Sequence, residues 1–176
     1  IEEQDTPDLA VLILIDGSGS MGGNKKENAI KAAVILHEVL KKQGINHSIV
    51  EHRAFSGENS MEANILVDFN GRSDQKLNIL KIRAQNVNRD GLSLLWAERY
   101  ISKEANDNKI IIIVSDGQPN HNEYNGRIAK EDTKKIARSI KKHNIAVIGI
   151  ALEENESSCC YEDLKGIYPN LINCPS

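Results

Sequence analysis

The sequence predicts an α/β protein of three layers, in which a mostly parallel central sheet with one antiparallel edge strand is covered by helices on both faces. Three observations predict it. Val11-Leu12-Ile13-Leu14-Ile15 and Ile110-Ile111-Ile112-Ile113-Val114 are uncharged runs of the kind buried on both faces of a sheet. Segments with apolar residues at helical spacing alternate with such runs. Ile65, Val67 and Phe69 alternate with polar or smaller residues, as a half-buried strand at a sheet edge does.

Ile1 to Pro7 is polar and reads as a lead-in, and Leu9 to Ile15 as the first strand. Lys25 to Gln43 is a helix whose apolar face is Ile30, Ala33, Val34 and Leu40, with Gly44 where a C-terminal cap belongs. Ile45 to Phe55 returns as a strand, bounded by Ser56-Gly57-Glu58-Asn59-Ser60, and the Ile65 strand pairs with it as a hairpin ended by Asn70-Gly71. Leu77 to Ile82 is a short helix, Asn88-Arg89-Asp90-Gly91 a turn, and Leu94, Ala97 and Ile101 the inner face of a helix carrying Trp96. The spacing makes Trp96 a packing residue. Ile110 to Val114 is the central strand and runs into Ser115-Asp116-Gly117-Gln118-Pro119. A polar loop through Gly126 precedes a helix with Thr133, Ile136, Ala137 and Ile140 on one side, and Ile145 to Ala151 is a further buried strand. Glu153 to Ser158 is a loop, Tyr161 to Ile167 a short helix, and Leu171-Ile172 a last strand. Lys41-Lys42 and Lys141-Lys142 answer the dipoles of the helices they close.

The 176 residues, 40% hydrophobic and 27% charged, suffice for one domain with a sizeable core. A formal net charge of −3 and the lack of a basic stripe argue against nucleic-acid binding. No apolar run approaches the length of a membrane span. The chain begins Ile1-Glu2-Glu3, without Met or a signal-peptide pattern, and is expected to be a domain of a longer protein. Cys159, Cys160 and Cys174 form neither a disulfide framework nor a zinc pattern. They are expected to be free thiols in a reducing, cytoplasmic setting, the alternative being a bridge from Cys159 or Cys160 to Cys174 in oxidising surroundings. His37 is expected to be partly buried; His47, His52, His121 and His143 show no metal spacing and are expected to be solvated.

Two apolar strands end in Asp-Gly, at Asp16-Gly17 and at Asp116-Gly117. In open sheets of this class ligands bind beyond the carboxyl ends of the strands. If the two strands are neighbours, both carboxylates meet at one rim, and two like charges buried together call for a cation. After Asp16, Ser18 and Ser20 follow at alternate positions, with Gly17 and Gly19 allowing a tight turn. Oxygen ligands of mixed charge suit a hard divalent ion such as Mg2+, with Mn2+ or Ca2+ as alternatives.

Asp16-Gly17-Ser18-Gly19-Ser20 resembles the first element of the metal-ion-dependent adhesion site of the von Willebrand factor A family. The resemblance implies a Rossmann-like domain over residues 8–176 and a non-catalytic role in binding a protein partner, whose oxygen completes the coordination of the metal. It implies Ser18 and Ser20 as direct ligands, with Asp16, and Asp116 as one that often acts through water. Where the family places a Thr in its middle loop, this chain has Asp90, which is expected to ligate the metal directly or through water. Asp16 and Asp116 with Mg2+ sum to zero charge, so Asp90 brings the site to about −1 and is expected to weaken attraction for an acidic ligand. Asp90-Gly91-Leu92-Ser93-Leu94-Leu95-Trp96-Ala97 also resembles the A domains of cobaltochelatase subunits, which are similar to partners of AAA-type ATPases. That implies an alternative role inside a metal-insertion or remodelling complex.

Gly17-x-Gly19-x-x-Gly22 satisfies the dinucleotide fingerprint. Asp16 would then face a pyrophosphate, and no acidic residue stands where the ribose needs one, so this reading is the weaker alternative. Neither Ser18 nor Ser20 lies in a Gly-x-Ser-x-Gly frame, which argues against a serine hydrolase.

Overall fold

The computed structural model describes residues 7–56, 59–117, 119, 121, 124–153 and 160–175. Among them a sheet of six strands has the order β3-β2-β1-β4-β5-β6. The strands are β1 (Leu9–Asp16), β2 (Asn46–Ala54), β3 (Met61–Val67), β4 (Asn108–Ser115), β5 (Ile145–Glu153) and β6 (Asn170–Pro175). All neighbours run parallel except β2 and β3. The helices are α1 (Asn24–Lys42), α2 (Asp90–Ile101), α3 (Gly126–Lys142) and α4 (Cys160–Lys165), with 3-10 turns at Gly19–Met21 and Ser73–Lys81.

Side chains of β1 alternate between two cores, which is why its run carries no polar residue before Asp16. Leu12 and Leu14 join Ile111, Ile113, Leu94, Ala97, Ala137, Ile140 and Leu164, so α2, α3 and α4 cover this face. Val11, Ile13 and Ile15 join Ile49, Ala29, Ala33, Ile79 and Ile82, so α1 and the longer 3-10 turn cover the other. Strand order runs outward from β1 on one side and from β4 on the other, which puts the topological switch between these two strands.

The expected layers and the antiparallel edge are present; several local readings are corrected. Leu66 and Val67 are both buried while Ile65 is exposed, because the β2–β3 register shifts between Ile49 and Val50. Such a slip turns successive side chains to one face and breaks the alternation that the sequence suggested. Phe69 packs in the core but lies past the end of β3. The short helix expected at Leu77–Ile82 is a 3-10 turn that begins earlier, at Ser73. Asp90 and Gly91 are not a turn but the first residues of α2. Strand β5 runs on to Glu153, α4 covers Cys160–Lys165 rather than Tyr161–Ile167, and the last strand is longer than Leu171-Ile172. The other boundaries agree to within fraying of the ends, and α1 closes on Gly44 at φ 66°.

Trp96 stacks on Tyr100 at 4.8 Å and packs against the core, as its spacing suggested. Three histidines depart from expectation. His47, His52 and His121 are buried, and His47 Nε2 lies 2.9 Å from Nδ1 of His37. Only His143 of that group is exposed, beside Glu98. The lead-in residues 1–6, the loop 154–158, Cys159 and the side chains of Cys160 and Cys174 lie outside the described residues.

Candidate metal centre

β1 and β4 are adjacent and in register, with Ile15 opposite Val114, so the residues that follow them leave the sheet side by side. Asp16 is fully buried and Asp116 is 8% exposed. Asp16 Oδ1 accepts the backbone N–H of Ser18 at 2.8 Å, closing the turn on itself. Its Oδ2 accepts Asn88 Nδ2 at 2.9 Å and Ser115 Oγ at 3.3 Å. Ser18 and Ser20 share a hydroxyl contact of 3.0 Å, and Ser20 Oγ donates to Asp116 Oδ1 at 3.0 Å. The two strand ends are thus linked through the serine turn, by the Ser18 N–H on Asp16 and by the two serine hydroxyls, through Ser20 Oγ, on Asp116. Ser20 is the exposed one of the two serines and opens the turn to solvent.

The turn after β1 is held from a third side. Gly17 N–H donates to His52 O, Gly17 O accepts Gln85 N–H at 2.8 Å, and Gly19 N–H donates to Asn86 O at 2.9 Å. A Cβ on Gly17 would stand 2.8 Å from Cγ of Glu51 and 3.2 Å from the Arg83 carbonyl, so only glycine lets these backbones approach.

This third segment leads into α2 and delivers Asp90 at the helix's first position, where a carboxylate suits the helix dipole. Asp90 is fully buried, and among the described residues neither carboxyl oxygen has a hydrogen-bond partner. Burial first, and then the charges of Asp16 and Asp116, hold its carboxyl well above the ordinary carboxylate range. Ser93, the nearby hydroxyl of the sequence, lies inside α2 and is turned to His52 Nδ1 at 2.9 Å and to Arg89 O. His52 is buried on the strand beside Asp16; burial lowers its pKa, while Asp16 and Glu51 pull the other way.

Asp16, Ser18, Ser20, Asp90 and Asp116 are therefore brought to one rim. Among the described residues no three His, Cys, Asp or Glu side chains converge on one metal position. The oxygens are divided between carboxylates and hydroxyls, and Asp116 is turned to Ser20 and to Lys25, whose Nζ donates to Oδ2 at 2.8 Å. Lys25, Asn88, Ser115 and His52 are members of this rim to which the sequence alone assigned no part in it. Asn88 and Ser115 did stand in the segments singled out, one in Asn-Arg-Asp-Gly and the other directly before Asp116.

The donor set fits a hard divalent cation. It is all oxygen, mixes charged and neutral ligands, and contains a buried carboxyl group, Asp90, whose oxygens accept from no donor among the described residues.

The sequence pattern of the von Willebrand factor type A domain matches residues 10–167. The chain is similar to the YojO protein of Bacillus subtilis (strain 168), 28% identical over an alignment of 158 residues, which covers 85% of this chain and 24% of YojO. The chain thus spans about a quarter of the length of that curated relative. Among solved structures it is similar to the pilus adhesin SpaC from Lactobacillus rhamnosus GG in its open conformation (TM-score 0.75, 12% identity, covering 98% of this chain and 28% of SpaC). It is also similar to the vWF domain of the type V pili tip protein Mfa5 from Porphyromonas gingivalis (TM-score 0.73, 12% identity, covering 95% and 89%). At these identities the likeness is one of fold.

Proposed function

Since the chain belongs to the von Willebrand factor type A family, we propose that it is a non-catalytic protein-binding domain whose contact with its partner depends on a divalent cation at the rim of β1 and β4. Asp16, Ser18, Ser20 and Asp116 hold the ion, Mg2+ in the first instance and Mn2+ or Ca2+ as substitutes, and Asp90 lies beside them as a further carboxylate. When bound, the ion supplies a localised positive charge that takes an oxygen ligand from the partner protein. This chain's residues fix the geometry: Asn88 and Ser115 orient Asp16, and the backbone of residues 85–86 holds the serine turn.

The observation that carries this reading is the buried Asp90 carboxyl group, unpartnered among the described residues, beside two other acidic strand and loop ends. A carboxyl group in that position raises the free energy of the fold unless it is neutralised. The adhesin and pilus-tip names of the two solved relatives agree with a binding role. A place in a chelatase-like or AAA-ATPase-associated complex uses the same site and rests on the segment Asp90 to Ala97 alone.

Titration calorimetry of the whole chain with MgCl2 and MnCl2 tests the proposal. Saturable binding of one ion, lost in Asp16→Asn, supports it. Heats no larger than dilution for both salts at millimolar ion would overturn it.

A further inference from the structure

Lys25 occupies an unusual place. It lies in the first turn of α1, where the helix dipole disfavours a cation. Its side chain is only 17% exposed, and its Nζ stands 2.8 Å from Asp116 Oδ2 and 3.5 Å from the carbonyl of Ser20. Both contacts are to residues of the candidate metal centre. The other oxygen of the same Asp116 carboxylate accepts Ser20 Oγ, so Lys25 and Ser20 hold Asp116 from both of its oxygens.

The charges explain why a cation is retained there. Asp16, Asp90 and Asp116 bring three carboxyl groups into a rim where all are more than nine-tenths buried. Lys25 supplies one positive charge against them when no ion is bound, placed on the Asp116 carboxylate.

We infer that Lys25 is a tethered counter-cation of this rim, holding Asp116 when no ion is bound and lowering the ion's affinity by competing with it for the Asp116 carboxylate. The inference rests on reading the rim as a metal centre and adds how tightly that centre grips. Lysine has the properties this role requires. Its ammonium is a point charge on a flexible stem, and from a partly exposed position it can withdraw to water. Removing it takes away a like charge close to the ion's position, so the ion binds more tightly. It also leaves the ion-free rim with an uncompensated set of carboxylates, so the ion-free fold is weakened.

Mn2+ calorimetry and thermal unfolding of the whole chain test this on Lys25→Met, Lys25→Gln and Lys25→Arg. Lys25→Met is expected to bind Mn2+ about tenfold more tightly than the parent and to melt at lower temperature without the ion, the deficit closing as Mn2+ is added. Lys25→Arg, which keeps the charge, stays near the parent in both. Lys25→Gln is read in the same way if Lys25→Met does not fold without Mn2+. Parent-like or weaker Mn2+ binding in the neutral variants overturns the role of Lys25 while the metal reading stands. No Mn2+ binding by the parent or any variant overturns both.

Discussion

Asp90 is the residue whose chemistry is most sharply set by its surroundings. Its raised pKa means that the folded chain keeps a proton that the unfolded chain gives up above the ordinary carboxylate range. Its contribution to ion-free stability is therefore present at low pH and lost as pH rises through that range toward the raised value. Asp90→Asn removes this loss, so denaturant unfolding should find the variant more stable than the parent by a margin that widens with pH. A margin that stays flat with pH would contradict the burial argument. His52 acts in the opposite sense: with its pKa lowered, stability falls as pH drops below the ordinary histidine range. It remains in place in both proteins and cancels in the difference. Asn88→Ala removes the amide from Asp16 Oδ2 and should cost about 1.5–3 kcal/mol in the same measurement. Asp16, Ser18, Ser20 and Asp116 were legible because each stands at or just beyond the end of an apolar strand, where chain direction alone places the side chain. Asn88, Lys25 and Ser115 were not, because their partners are 72, 91 and 99 residues away and only the register of the sheet brings them together.

At the scale of elements, the turn after β1 is the part least tolerant of added atoms. Gly17→Ala puts a Cβ against Glu51 and the Arg83 carbonyl and should lower stability by about 1–3 kcal/mol and weaken Mn2+ binding together. Gly166→Ala meets nothing within 4 Å and should leave both unchanged or raise stability slightly, which calibrates the comparison by thermal unfolding and calorimetry. The buried parallel strands could be read from composition because both faces need apolar side chains. The edge could not be read to the residue, since the shift between Ile49 and Val50 depends on pairing with β2 and leaves no trace in the local pattern. The start of α2 was misread for a related reason. Asn-Arg-Asp-Gly has the composition of a turn, yet Asp90 and Gly91 are drawn into the helix, and Gly91 lies where a Cβ would come within 2.5 Å of the Tyr124 hydroxyl. The burial of His47 and His52 is not legible in the sequence, because a polar side chain on a strand carries no sign of what packs above it.

At the scale of the molecule, the order of the strands converts a pair of sequence motifs into a site. The chain reverses its winding between β1 and β4, and the crevice at that reversal is where Asp16 and Asp116 emerge. A cation bound only by the folded chain must then stabilise the whole domain. At a free ion concentration about 100 times the dissociation constant, Mg2+ should add about 2.7 kcal/mol, read as a rise in melting temperature that Asp16→Asn abolishes. An equal rise in parent and variant would place the ion elsewhere. The most direct measurement is an anomalous-scattering map of crystals soaked in MnCl2. A peak among Asp16, Ser18, Ser20 and Asp116, with Asp90 alongside, is the predicted result; density at saturating manganese that shows no peak at this rim would contradict it.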